Sequence, residues 1–166
     1  MSQNRVKARM NNRYRVLLTD YEQRRWPDLQ DLLGLMDIVA ISADSGAEAL
    51  RIARRQKIHA AVVEENLPTL GGLQTVEQLR KVRQTMPCIL VAWHPGKYLL
   101  QRALSLEIFS VVDREVPTEI LAGQVLRALR RFHAIDPARL DTAVLERLLK
   151  SDLDRILELP DPGELN

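Results

Sequence analysis

Between residues 14 and 133, apolar runs of strand length alternate five times with stretches of helical periodicity, and few folds accommodate that alternation. The runs are 14–19 (YRVLLT), 37–43 (DIVAISA), 59–63 (HAAVV), 88–93 (CILVAW) and the very short 109–112 (FSVV). Between them, Trp26, Leu29, Leu32 and Leu33 recur at helical spacing over 22–35, where Pro27 implies a late start or a kink. Ser45 can cap a helix carrying Ala49, Ile52 and Ala53 on one face, running to about Gln56. Leu73, Val76, Leu79 and Val82 mark the next helix, closed by Met86-Pro87. Residues 98–106 read as helical, and Pro117 suits the first turn of a last helix carrying Ile120, Leu121, Val125 and Leu129. Near-continuous apolar strands separated by helices predict a parallel sheet covered on both faces, an α/β doubly wound fold of five strands. In such a fold the active groups lie at the carboxyl ends of the strands. The positions to inspect are Thr19, Asp20, Glu64, Ala92 and Asp113.

Several function classes fall away early. The turn after the first strand, Thr19-Asp20-Tyr21-Glu22, has no glycine, so a dinucleotide site is not expected. No apolar run reaches the roughly 18–20 residues of a membrane span, and the Arg-rich start lacks the apolar segment of a signal peptide. The single cysteine, Cys88, sits in an apolar run as a small buried hydrophobe, and a cytoplasmic location is expected. Charge is uneven: residues 1–15 are net +5, whereas 134–166 are net −4. The basic head has Tyr14 as its one aromatic and no stacking pattern, so it reads as a solvated tail, and nucleic acid is not the expected partner.

The most specific pieces are SADSGAEALRIARRQKIHAAVVEENLP, the Gly-Gly that follows, and the segments VAWHPG and FSVVDREVP after the fourth and fifth strands. Together, over about residues 14–132, they resemble the CheY-like receiver domain of bacterial response regulators, a flavodoxin-like fold. The resemblance implies an acidic pair after strand one that holds a magnesium ion. It also implies a phosphoacceptor aspartate four residues before a proline, a hydroxyl after strand four and a Lys-Pro after strand five. That chemistry needs every part: a carboxylate nucleophile, a metal for the developing charge, and a hydroxyl and an ammonium for the transferred oxygens. Here the positions depart from the pattern. The acceptor position four before Pro68 is Glu64, the acidic pair is Thr19-Asp20, the hydroxyl position is Ala92, and the Lys-Pro is Asp113-Arg114. Moving the acceptor to Glu65 breaks the spacing to Pro68 and turns the side chain to the other face of the strand. The expectation is a degenerate pseudo-receiver without phosphotransfer, with no catalytic residue, no metal and no cofactor.

Asp20, Glu64 and Asp113 would bring three acids to neighbouring strand ends. Two unit charges about 4 Å apart at an effective dielectric near 20 repel by roughly 4 kcal/mol. Such a cluster binds a cation, holds a proton or turns outward into solvent, and the outward, solvated arrangement is the expectation. Arg114, Arg24 or Arg25 are the candidates to neutralise it, and Glu64 could mimic a phosphorylated aspartate if a cation receives it. His59, His94 and His133 lack metal-ligand spacing to one another and read as structural. Trp93 reads equally as an exposed interface anchor or as filling.

The chain is expected to divide into a basic tail (1–13), the receiver-like domain (14–133) and a C-terminal helical extension (134–166). In the extension Leu140, Val144, Leu145, Leu148, Leu149, Leu153, Ile156 and Leu157 recur at helical spacing, each worth about 1.5–3 kcal/mol on full burial. A receiver already covers both faces of its sheet, so a second copy is the expected partner and docking on the chain's own domain the alternative, with Trp93, Leu145, Leu148, Leu149 and Ile156 as candidate interface residues. The expected role is a regulatory protein–protein interaction module rather than an enzyme. The alternatives are a receiver phosphorylated at or switched through Asp20 and Glu64, or a DNA-associated regulator.

Overall fold

The computed structural model describes residues 13–21 and 26–135. The basic tail up to residue 12, Arg24 and Arg25, and the extension from 136 onward, with Leu145, Leu148, Leu149 and Ile156, lie outside the described residues. Five strands and five helices alternate: β1 Tyr14–Thr19, α1 Pro27–Leu35, β2 Ile38–Ala43, α2 Gly46–Arg55, β3 Ala60–Glu64, α3 Gly72–Val82, β4 Cys88–Ala92, α4 Lys97–Ser105, β5 Ser110–Asp113 and α5 Thr118–His133. All strand pairs are parallel in the order β2-β1-β3-β4-β5. The registers set Glu64 beside Val91 and Ala92 beside Asp113, so the carboxyl ends of β1, β3, β4 and β5 meet at one edge.

Alternation along each buried strand divides the core between two faces. Val16, Leu18, Val62, Ile89 and Val91 pack with Leu29, Leu33, Leu121, Val125 and Leu129 of α1 and α5. Leu17, Ala61, Val63 and Cys88 pack on the other face with Ala49, Ala53, Val76 and Leu79 of α2 and α3. Cys88 is the buried small hydrophobe its surroundings called for, and burial pushes its thiol up to about 12. The α4 helix buries only Leu99 and Ala103, leaving Tyr98, Leu100 and Leu104 exposed.

Local chemistry explains the boundaries. The first helix starts late, at Pro27, because the ring's fixed φ and missing N–H suit a first turn and no earlier position. Just before it, the buried Trp26 donates its Nε1–H to the Thr19 carbonyl at 2.9 Å, tying the helix to the end of β1. Ser45 caps α2 by accepting the Glu48 N–H at 3.1 Å. Pro117 is the N-cap of α5 rather than its first helical residue, and β4 ends at Ala92, leaving Trp93 outside the strand. No helix among the described residues is long and apolar enough to cross a membrane.

At the opposite edge, His59, His133 and Tyr14 cluster. The ring centroids of His59 lie 4.9 Å from His133 and 5.1 Å from Tyr14. His59 Nδ1 accepts the Arg15 N–H at 2.9 Å, so the ring is the neutral tautomer carrying its proton on Nε2. Burial, then the neighbouring His133 and Lys57, hold its pKa at about 4, below the ordinary 6.5. An unfolded chain protonates His59 first, so its contribution is complete above about pH 6.5 and is lost as pH falls toward about 4. The urea midpoint should therefore fall already between about pH 6.5 and 5, before most carboxylates protonate. A midpoint flat over that window in wild type would contradict the neutral, buried His59.

Candidate functional site

The strand-end edge forms a cavity of about 260 Å³ lined by Asp20, Tyr21, Glu64, Glu65, Trp93 and Arg114, among others. Its floor is built by backbone bonds between strand ends. Asp20 N–H donates to Ala43 O at 2.7 Å, Glu65 N–H to Val91 O at 2.8 Å, and Arg114 N–H to Ala92 O at 2.8 Å. Thr19 is fully buried, and its hydroxyl accepts the Glu64 N–H at 2.9 Å and donates toward Val62 O at 3.5 Å. That hydroxyl fastens β1 to β3 beneath Glu64, so it is spent on the fold.

Two expectations about the acids need correction. Asp20 and Glu64 do not turn outward: they are 7% and 8% exposed. Asp113 does not join them. Its Oδ1 accepts the Glu115 N–H at 3.0 Å, as aspartates at turns do, and its Oδ2 lies 3.7 Å from His94 Nδ1. The residue after β5 that lines the pocket is instead Arg114, so a basic side chain shares the cavity with Asp20, Glu64 and Glu65. The β4–β5 register brings His94 near Asp113 and Glu115, a proximity that spacing between the histidines does not reveal. Trp93 is half exposed, stands 5.9 Å from the Arg114 guanidinium and packs edge-on against His94. Ala92 is buried and offers the pocket no polar group.

A magnesium ion of the receiver kind takes oxygen ligands in near-octahedral geometry. Asp20 Oδ1 is buried with no hydrogen-bond partner in the structure, which suits one ligand. The position of the second acid holds Thr19, whose hydroxyl is already used, and Arg114 also lines the cavity. The residues present do not make up the full set for that ion.

The family model of the response regulator receiver domain matches residues 16–125. The transcriptional regulatory protein GlrR of Escherichia coli is 26% identical over 125 residues, covering 73% of this chain and 28% of that protein. A response regulatory protein of Vibrio cholerae is 27% identical over 148 residues, covering 87% of this chain and 61% of that protein. The chain thus spans less than two thirds of the length of these curated relatives. Among solved structures, a CheY-like receiver domain from Methanospirillum hungatei superposes with a TM-score of 0.69 at 17% identity, covering 74% of this chain and 98% of that one. The signal receiver domain of an HD domain-containing protein from Pseudomonas fluorescens gives 0.69 at 20% identity, covering 75% and 100%. At these identities the superpositions speak for the fold.

Proposed function

The chain belongs to the response regulator receiver domain family, and from that premise we propose that it is a pseudo-receiver, a regulatory protein-interaction module that transfers no phosphoryl group. The carrying observation is the pair at the ends of β4 and β5: buried Ala92 stands where a receiver has its hydroxyl, and Asp113 where it has its lysine. An incoming phosphoryl group would find neither the hydroxyl nor the ammonium for its oxygens. Two-component signalling is the setting of the family; here the signal passes through protein contact, in the cytoplasm, without enzymatic turnover and without nucleic acid.

The test uses a small acyl phosphate with magnesium and intact mass spectrometry. The expected result is no adduct, and a stoichiometric gain of one phosphoryl group overturns the proposal. A second reading, a receiver switched through Asp20 and Glu64, draws support from Arg114, a cation lining the same cavity as both carboxylates. An adduct that maps to Asp20 or Glu64 would favour it.

The module works as a homodimer in this reading, supported by the apolar stripe of residues 140–157 in the sequence. Sedimentation of the full chain at tens of micromolar should give a dimer, and Leu148→Asp, which places a carboxylate in that stripe, a folded monomer. A monomeric wild type would remove the dimer from the proposal.

A further inference from the structure

We propose that His94, Asp113 and Glu115 form a site for a divalent transition-metal ion of the zinc class, joining the loop after β4 to the loop after β5. Each of the three side chains offers one ligand atom, and all three atoms lie within 4.8 Å of one another. His94 Nδ1 and Asp113 Oδ2 are already 3.7 Å apart, close to the roughly 3.4 Å that two ligands of a tetrahedral ion at about 2.1 Å keep between them. His94 and Glu115 are exposed, so small side-chain rotations close the remaining distance. Asp113 is the half-buried member, and its second oxygen accepts the Glu115 N–H, the kind of outer hydrogen bond that orients a ligating carboxylate.

The ligand set selects the ion. One imidazole and two carboxylates suit zinc, cobalt or nickel, whereas magnesium asks for oxygen throughout. Three protein ligands leave a fourth position for water or for a group from a partner. The site stands apart from the Asp20–Glu64 cavity, since neither His94, Asp113 nor Glu115 lines it, and it does not depend on whether that cavity accepts a phosphoryl group. An ion here would bind the loop that opens α4 to the loop that opens α5, next to the half-exposed Trp93.

The experiment is calorimetric titration of the chelator-stripped full chain with zinc in an excess of magnesium. A saturable event with one zinc per chain is expected. His94→Asn removes the imidazole and tolerates the left-handed backbone at φ 46°, and Glu115→Gln removes a carboxylate while keeping its shape. Each should weaken binding by about tenfold or more. Nickel should quench Trp93 fluorescence saturably in wild type, and Trp93→Phe should abolish that quenching while leaving zinc binding in place. Absence of saturable binding, loss of the event in magnesium, or an unchanged affinity in both His94→Asn and Glu115→Gln overturns the site.

Discussion

Gly72→Ala should destabilise the fold by about 3 kcal/mol or more, the upper end of what overpacking costs. A Cβ at this position would sit 2.2 Å from the Glu64 carbonyl oxygen, 2.6 Å from Glu65 Cα and 2.8 Å from the Glu64 carbonyl carbon. All three are backbone atoms of the strand end and the turn after it, so no side chain can swing away to make room. Either α3 lifts from the sheet or the turn carrying Glu64 and Glu65 is displaced, and the Gly72 N–H bond to Glu65 O at 2.9 Å is lost with it. Gly123 gives the contrast: it lies inside α5, and an added Cβ meets nothing within 4 Å. Gly123→Ala should stabilise by about 0.5–1 kcal/mol through helix propensity alone. Urea midpoints of the two variants should move in opposite directions from wild type. A Gly72→Ala midpoint equal to wild type would mean that the close approach of α3 to the strand end is not what the glycine supplies.

That approach also shows which features can be read from a chain like this one. Strands buried on both faces are near-continuous apolar runs, so β1, β3 and β4 stand out; Pro27, Ser45 and Pro117 punctuate the helices between them. The strand-end positions follow from fold and spacing together. Side-chain direction at a strand end does not. Asp113 and Arg114 are neighbours, and only a local bond to the Glu115 N–H decides that the carboxylate folds back while Arg114 lines the cavity. The burial of Asp20 and Glu64 is likewise hidden, because the bonds that fasten Thr19 at the end of β1, from Trp26 Nε1–H and from the Glu64 N–H, join residues seven and forty-five apart in sequence. Contacts between distant segments, such as His94 with Asp113 through the β4–β5 register and His59 with His133 through the packing of α5, are written in no single segment.

Restoring phosphoryl acceptance should take four substitutions acting together, and one alone should restore nothing measurable. Glu64→Asp returns the acceptor to the reach of an aspartate, but Ala92 and Asp113 still leave the transferred oxygens without a hydroxyl and an ammonium. Each missing donor of this electrostatic kind costs about 10²–10³ in rate, so the two together hold the reaction several orders of magnitude below that of a complete site. Adding Ala92→Thr and Asp113→Lys supplies both. Thr19→Asp completes the acidic pair beside Asp20, and its carboxylate can still accept the residue 64 N–H that the Thr19 hydroxyl holds at 2.9 Å. The quadruple variant, treated with an acyl phosphate and followed by intact mass, should gain one phosphoryl group on residue 64, while Glu64→Asp alone should match wild type, which gains none if the chain is a pseudo-receiver. Far-UV circular dichroism shows whether each variant keeps its fold. If Glu64→Asp alone is phosphorylated as fast as the quadruple variant, Ala92 and Asp113 are not what silences the site. The length of the Glu64 side chain would then be the whole cause.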